Sequence, residues 1–102
     1  MKSALVDQFD DERWEGLVFY DGLDDAFLGI CEQYTGPPIA LYDRTKAIEI
    51  LAEGLEGDIE GAEEYFEFNV AGAFVGEQTP AFLVRREELL DDQGRLIYLH
   101  RD

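Results

Sequence analysis

The chain has 102 residues, of which 24 are Asp or Glu and 8 are Lys or Arg, giving a formal charge of −16. Such a surface has no basic footprint to offset phosphate charge, which excludes direct binding to nucleic acid or anionic lipid as a first reading. At 46% apolar and 13% aromatic it is no disordered acidic tail, and its length suits one acidic domain, 1–102, with residues 1–13 expected to fray.

In chain order, residues 17–20 (Leu17, Val18, Phe19, Tyr20) read as a buried strand closed by a turn at Asp21 and Gly22. Leu23, Phe27, Ile30, Cys31 and Tyr34 follow at helical spacing, with Asp24 as N-cap and Gly36, Pro37 and Pro38 as the stop. Residues 39–42 form a second predicted strand. Asp43 then caps a helix whose apolar stripe is Ala47, Ile48, Leu51 and Leu55. Asp58 caps the longest predicted helix, in which Ile59, Ala62, Phe66, Val70 and Ala73 recur at three- and four-residue steps until Gly76 and Pro80. Strands are expected at 81–85 and 96–99, with a turn at 91–94 between them; residues 87–90 read alternatively as a helical turn. The order predicts an α+β domain: a small mixed sheet of about four strands with about three helices packed on one face. The first strand, helix and strand form a right-handed crossover in this reading, and the last two strands a hairpin.

The inventory for chemistry is thin. His100 stands near the end, Cys31 falls on an apolar stripe, and Ser3 lies at the start, so no nucleophile and base can be paired. Clustered Cys and His, Glu-x-x-His pairs and the glycine-centred spacing of a calcium loop are all lacking, and neither a metal nor a cofactor is expected. Gly54, Gly57 and Gly61 are followed by no lysine and sit among glutamates, which is unlike a phosphate loop. Paired carboxylates keep a small hydrolase open as an alternative, but a chain this short offers little cleft, and the expectation is a protein without catalytic residues. A single cysteine makes no internal disulfide. Asp7, Asp10, Asp11 and Glu12 stand where a signal peptide needs its apolar stretch, and no run approaches membrane-spanning length. The expected compartment is the cytoplasm.

The charge is segregated. From Trp14 to Val84 there are 15 acidic residues and two basic ones, Arg44 and Lys46, so this stretch carries −13; from Ala47 to Val84 there is no Lys or Arg. Ordinary surfaces mix both signs. Here Glu49 and Glu53, Glu60 and Glu64, and Glu63 and Glu67 are like-charge pairs four residues apart, each costing about 0.2–0.5 kcal/mol on an exposed helix. The candidate partner-binding residues are therefore Glu49, Glu53, Glu56, Asp58, Glu60, Glu63, Glu64 and Glu67, with Asp21, Asp24, Asp25, Tyr65 and Asn69 as secondary candidates. Asn69, beside the apolar stripe, reads first as a buried structural amide and second as part of a recognition surface. Carboxylates rising about 4.5–6 Å per step along a helix edge suit a basic groove built for nucleic acid. The competing reading is that the charge serves solubility alone.

Residues 20–29 (Tyr20-Asp21-Gly22-Leu23-Asp24-Asp25-Ala26-Phe27-Leu28-Gly29), the segment from Ile39 to Leu51, and the run Glu63-Glu64-Tyr65-Phe66-Glu67-Phe68-Asn69-Val70-Ala71-Gly72 through Glu77, Thr79 and Pro80 together resemble a family of small acidic proteins encoded by tailed phages and prophages. The resemblance covers roughly residues 17–84. It departs at Ala47, where the family pattern often has Cys, and in a shorter turn before the last helix. The family has no established activity to carry over; what the resemblance implies is context. Small acidic phage proteins often bind host restriction, CRISPR, repair or transcription enzymes. The leading expectation is a DNA mimic, anti-CRISPR or anti-restriction-like, binding a basic nucleic-acid-binding host protein in the host cytoplasm. The alternatives are an interaction or scaffold module, including a homodimer, that uses aromatics such as Trp14, Tyr65 or Phe68, and an antitoxin-like protein.

Overall fold

A computed structural model describes residues 3–95. A helical turn α1 (Leu5–Gln8) and 3-10 turns at Glu12–Trp14 and Asp24–Ala26 precede the strands β1 (Phe27–Cys31) and β2 (Ile39–Asp43). Helices α2 (Arg44–Gly54) and α3 (Ile59–Tyr65) follow, α3 running on into a π-helical turn, Phe66–Ala71; β3 (Ala81–Leu83) and α4 (Arg86–Leu89) complete the order. The sheet order is β1-β2-β3, with β1 antiparallel and β3 parallel to β2. The fold is a small α+β domain, its sheet mixed and three-stranded among the described residues, and α2 and α3 make the connection between the parallel pair.

The second half follows its sequence signals. The Asp43 carboxylate accepts the Lys46 N–H at 3.1 Å and starts α2; that of Asp58 accepts the Gly61 N–H at 3.0 Å and starts α3. Ala47, Ile48 and Ala52 of α2 and Ala62, Phe66 and Val70 of the following helix are buried against Tyr42 and Ala40 of β2. Leu55 and Ile59, expected on the apolar stripes, flank the turn between the helices and are 44% and 48% exposed. The long helix ends at Ala71, short of Gly76. The expected strand at 81–85 shortens to Ala81–Leu83, the helical turn at 87–90 forms as α4, and the Gly94 N–H closes the turn onto the Asp91 carbonyl at 3.0 Å. The strand expected at 96–99, and with it the terminal hairpin, lies outside the described residues.

The first third departs from its signals. Residues 17–20 make no strand. The Tyr20 N–H donates instead to the Tyr42 hydroxyl at 2.9 Å, so a side chain takes the place of a ladder partner. Phe19 packs on Phe9 and Phe27, and Tyr20 stacks on Phe82, with ring centroids 5.7–5.8 Å apart. The helix expected after Asp24 is replaced by a 3-10 turn and β1. A short apolar run such as Phe27-Leu28-Gly29-Ile30-Cys31 satisfies helical and strand periods alike, and two facts decide for the strand. The Asp24 carboxylate is occupied by the Ser3 hydroxyl (2.6 Å) and the Ala4 N–H (3.0 Å), and Gly29, at φ 155°, follows a bulge at Leu28. Consequently β1 and β2 form an antiparallel hairpin, and the expected first crossover does not exist. Cys31 lies half-buried on a strand rather than on a helical stripe.

Tyr42 is fully buried between its neighbours, its ring centroid 5.6–5.8 Å from those of Tyr20, Phe27 and Phe82. Burial pushes its phenol above the usual value, against the opposing effect of the Tyr20 N–H. Replacing Tyr42 by Phe leaves that N–H without its acceptor. The expected loss in chemical unfolding is about 1–2 kcal/mol, with the slope against denaturant unchanged.

Asp43 adds a second dependence. Burial raises its pKa, but the Lys46 N–H, the Arg85 guanidinium (Nε at 3.0 Å, Nη2 at 2.9 Å) and the Thr45 N–H together outweigh this and hold it below the usual aspartate value. A lowered carboxyl stabilises the folded chain fully above its unfolded pKa and loses that contribution as pH falls through the folded value. Asp43→Ala is expected to cost about 1–2 kcal/mol through the lost cap. The wild-type advantage over Asp43→Asn should stay constant near neutral pH and shrink below about pH 4, measured by paired urea titrations.

Candidate acidic interface

Helix α3 and the π-helical turn that continues it bury Ala62 and Phe66 and turn the opposite face, the α3 face, outward. That face carries Glu60, Glu63, Glu64 and Glu67 at steps of three and four residues, all exposed. With Phe68 they line an open hollow of about 490 Å³. Four carboxylates thus share about 10 Å of helix axis. Glu63 also lines a neighbouring hollow of about 270 Å³ with Glu49 of α2, Ile59 and Arg44, which makes the acidic surface continuous from α3 to the start of α2. Arg44 is the cation at its edge: its guanidinium lies 3.2 Å from the Glu67 carboxylate and 5.2 Å from the centre of the Phe66 ring. Glu67 is therefore anchored.

The remaining candidates divide. Glu53 is exposed on α2, and Glu56 sits in the turn at φ 58°. Asp58 is committed to capping α3. Asp21 and Asp24 are turned to the chain start, where Asp21 accepts the Ser3 N–H at 2.9 Å and Asp24 the bonds described above; Ser3 itself is buried. Asp25 is exposed, away from the α3 hollow. Tyr65 is half exposed and lines an apolar hollow of about 160 Å³ with Leu51, Gly54 and Leu55. Asn69, expected first as a buried amide, is exposed, because Val70 takes the place on the buried side. Phe68 is 82% exposed among the glutamates. Read from the sequence it is only one of several surface aromatics, although it stands four residues after Glu64, one turn on along the same face.

Among the described residues no group of three or more His, Cys, Asp or Glu is placed to hold a metal ion, and no helix is long and apolar enough to cross a membrane. What the α3 face can do chemically is attract cations, at a cost to its own helix. The Glu64→Gln variant removes the like-charge pair with Glu60 and leaves Glu60 in the first turn of α3, where the helix dipole favours it. It is expected to raise the melting temperature at low salt by about 1–4 °C, with the difference fading at high salt.

No protein-family model, curated protein or solved structure matches the chain.

Proposed function

We propose that the chain is a non-enzymatic acidic inhibitor of phage type, acting in the host cytoplasm by covering the basic surface of a nucleic-acid-binding defence protein. The observation that carries this reading is the α3 face, where Glu60, Glu63, Glu64 and Glu67 line one hollow around an exposed phenylalanine. Charge that served solubility alone would be interspersed with lysines and would need no apolar residue at its centre. Clustered carboxylates offer what a basic nucleic-acid groove already selects, fixed negative charge at short intervals, and association is accelerated by long-range attraction. Phe68 adds an apolar anchor of the kind that concentrates binding energy in protein interfaces.

The same Phe68, with Phe74 at 81% exposure, favours a second reading, an interaction module whose aromatics dominate and whose charge is incidental. Salt dependence separates the two. The inhibitor should displace duplex DNA from a host nuclease or CRISPR complex at about 50 mM salt and lose at least about tenfold in potency by about 200 mM. Replacing Glu60, Glu63, Glu64 and Glu67 by Gln should cost a similar factor. If no such enzyme is displaced at low salt and host lysate yields no basic partner, the proposal fails; if capture persists at high salt and vanishes with Phe68→Ala alone, the interaction module replaces it.

A further inference from the structure

A second hollow, of about 460 Å³, lies over the N-terminal third. Its floor is aromatic and apolar: Phe9, Trp14, Leu17 and Phe19 are half-buried, with the Phe9 ring 6.3 Å from Trp14 and 5.8 Å from Phe19. Its rim is acidic. Asp10, Asp11, Glu12 and Glu15 line it and are all exposed. Among the described residues, no basic residue belongs to this lining. Arg13, the one Lys or Arg between Ser3 and Asp43, lines a smaller hollow adjoining Trp14 with Glu32 and Gln33.

The groove asks for an occupant that is apolar at its centre and cationic at its edges. A second copy of the chain at −16 would set like charge against like, and an anionic lipid surface would do the same. The molecule twice satisfies an arginine with the same chemistry. The Arg13 guanidinium lies 5.3 Å from the centre of the Trp14 ring and 3.8 Å from the Asp11 carboxylate, and Arg44 lies between Phe66 and Glu67. We propose that this groove is a docking site for a short basic segment of a partner protein in which Arg or Lys alternate with bulky apolar side chains. The apolar side chains enter against Phe9, Trp14 and Phe19, and the flanking cations meet Asp10, Glu12 and Glu15. The inference stands apart from the reading of the α3 face, since none of its residues belongs to that face.

Trp14 is the only tryptophan, so its emission reports on the groove directly. The test titrates the full chain at low salt with a blocked pentapeptide, Arg-Leu-Arg-Phe-Arg. Arg-Ser-Arg-Ser-Arg controls for charge and Gln-Leu-Gln-Phe-Gln for apolar character, and amide chemical shifts locate the binding. The expected result is a saturable shift of Trp14 emission, with amide perturbations centred on residues 6–19. The serine peptide should bind about tenfold more weakly, having lost its buried side chains. Glu12→Gln with Glu15→Gln should weaken the first peptide by about threefold or more, and Glu60→Gln with Glu64→Gln should leave it unchanged. Equal affinity for the serine peptide, indifference to the Glu12 and Glu15 changes, or no response overturns the proposal. Perturbations centred on residues 60–68 also overturn it, while leaving the α3 face as a cation-binding surface.

Discussion

The fold depends on two adjacent residues at the end of β2. Tyr42 has no solvent exposure, and its ring meets Phe27 of β1, Phe82 of β3 and Tyr20 of the irregular segment before the sheet. Strand register sets this up, because Tyr42 is the β2 residue opposite both Phe27 and Phe82. Its hydroxyl then does the work of a strand partner for the Tyr20 N–H. Asp43, one residue on, points the other way and joins three elements: it caps α2 through the Lys46 N–H and holds Arg85 before α4. A sheet of three short strands offers little area of its own, and this pair ties the segments before, between and after the strands into a single core.

The acidic surplus has two parts with different work to do. Among the described residues, Asp11, Asp21, Asp24, Asp43, Asp58 and Asp91 each accept a backbone N–H at the start of a turn or helix or across to the chain start. Short carboxylates reach nearby amides without bending the chain out of its path, which is why aspartate serves at such junctions. Glu88 does the same by reaching back to the Arg85 N–H at 3.0 Å, and its other oxygen accepts from the Thr45 hydroxyl. Glu60, Glu63 and Glu64 serve no such junction. Glu60 lies in the first turn of α3, where the helix dipole favours negative charge, while the four-residue repulsion between Glu60 and Glu64 runs against helix formation.

Legibility in the sequence followed the range of the interactions involved. Helices α2 and α3 begin with an aspartate that bonds an amide three residues on, a local device visible in the chain itself. Because the α3 carboxylates ride on such a helix, their shared face was readable as well. The first third is held by contacts spanning some twenty residues, Ser3 to Asp24 and Tyr20 to Tyr42. No local pattern announces these. Asp24 has the appearance of a helix cap when read locally, and only the presence of Ser3 and Ala4 shows its carboxylate to be otherwise engaged. The N-terminal groove was hidden for the same reason, since its aromatic floor joins Phe9 of the chain start to Phe19, which also packs on β1.

Asn69 shows how a small change of helical geometry links core and surface. On a continuous α-helix advancing about 100° per residue, Asn69 would stand close to the line of Ala62 and Phe66, with its amide facing the core. The chain instead passes into a π turn at Phe66. Bonds of the i to i+5 type take more residues per revolution, so each later side chain lags its α-helical direction. Val70 is thereby drawn onto the buried line, where it is 8% exposed, and Asn69 is carried out to solvent. Phe68 is turned by the same lag toward Glu60, Glu64 and Glu67, with which it lines the acidic hollow. Gly72 allows the turn to close, for a Cβ there would stand 2.8 Å from the Glu67 carbonyl oxygen. One widened turn thus removes an amide from the core, fills its place with valine and turns an aromatic ring further toward carboxylates it already neighbours, which joins the packing of the helix to the character of its outer face.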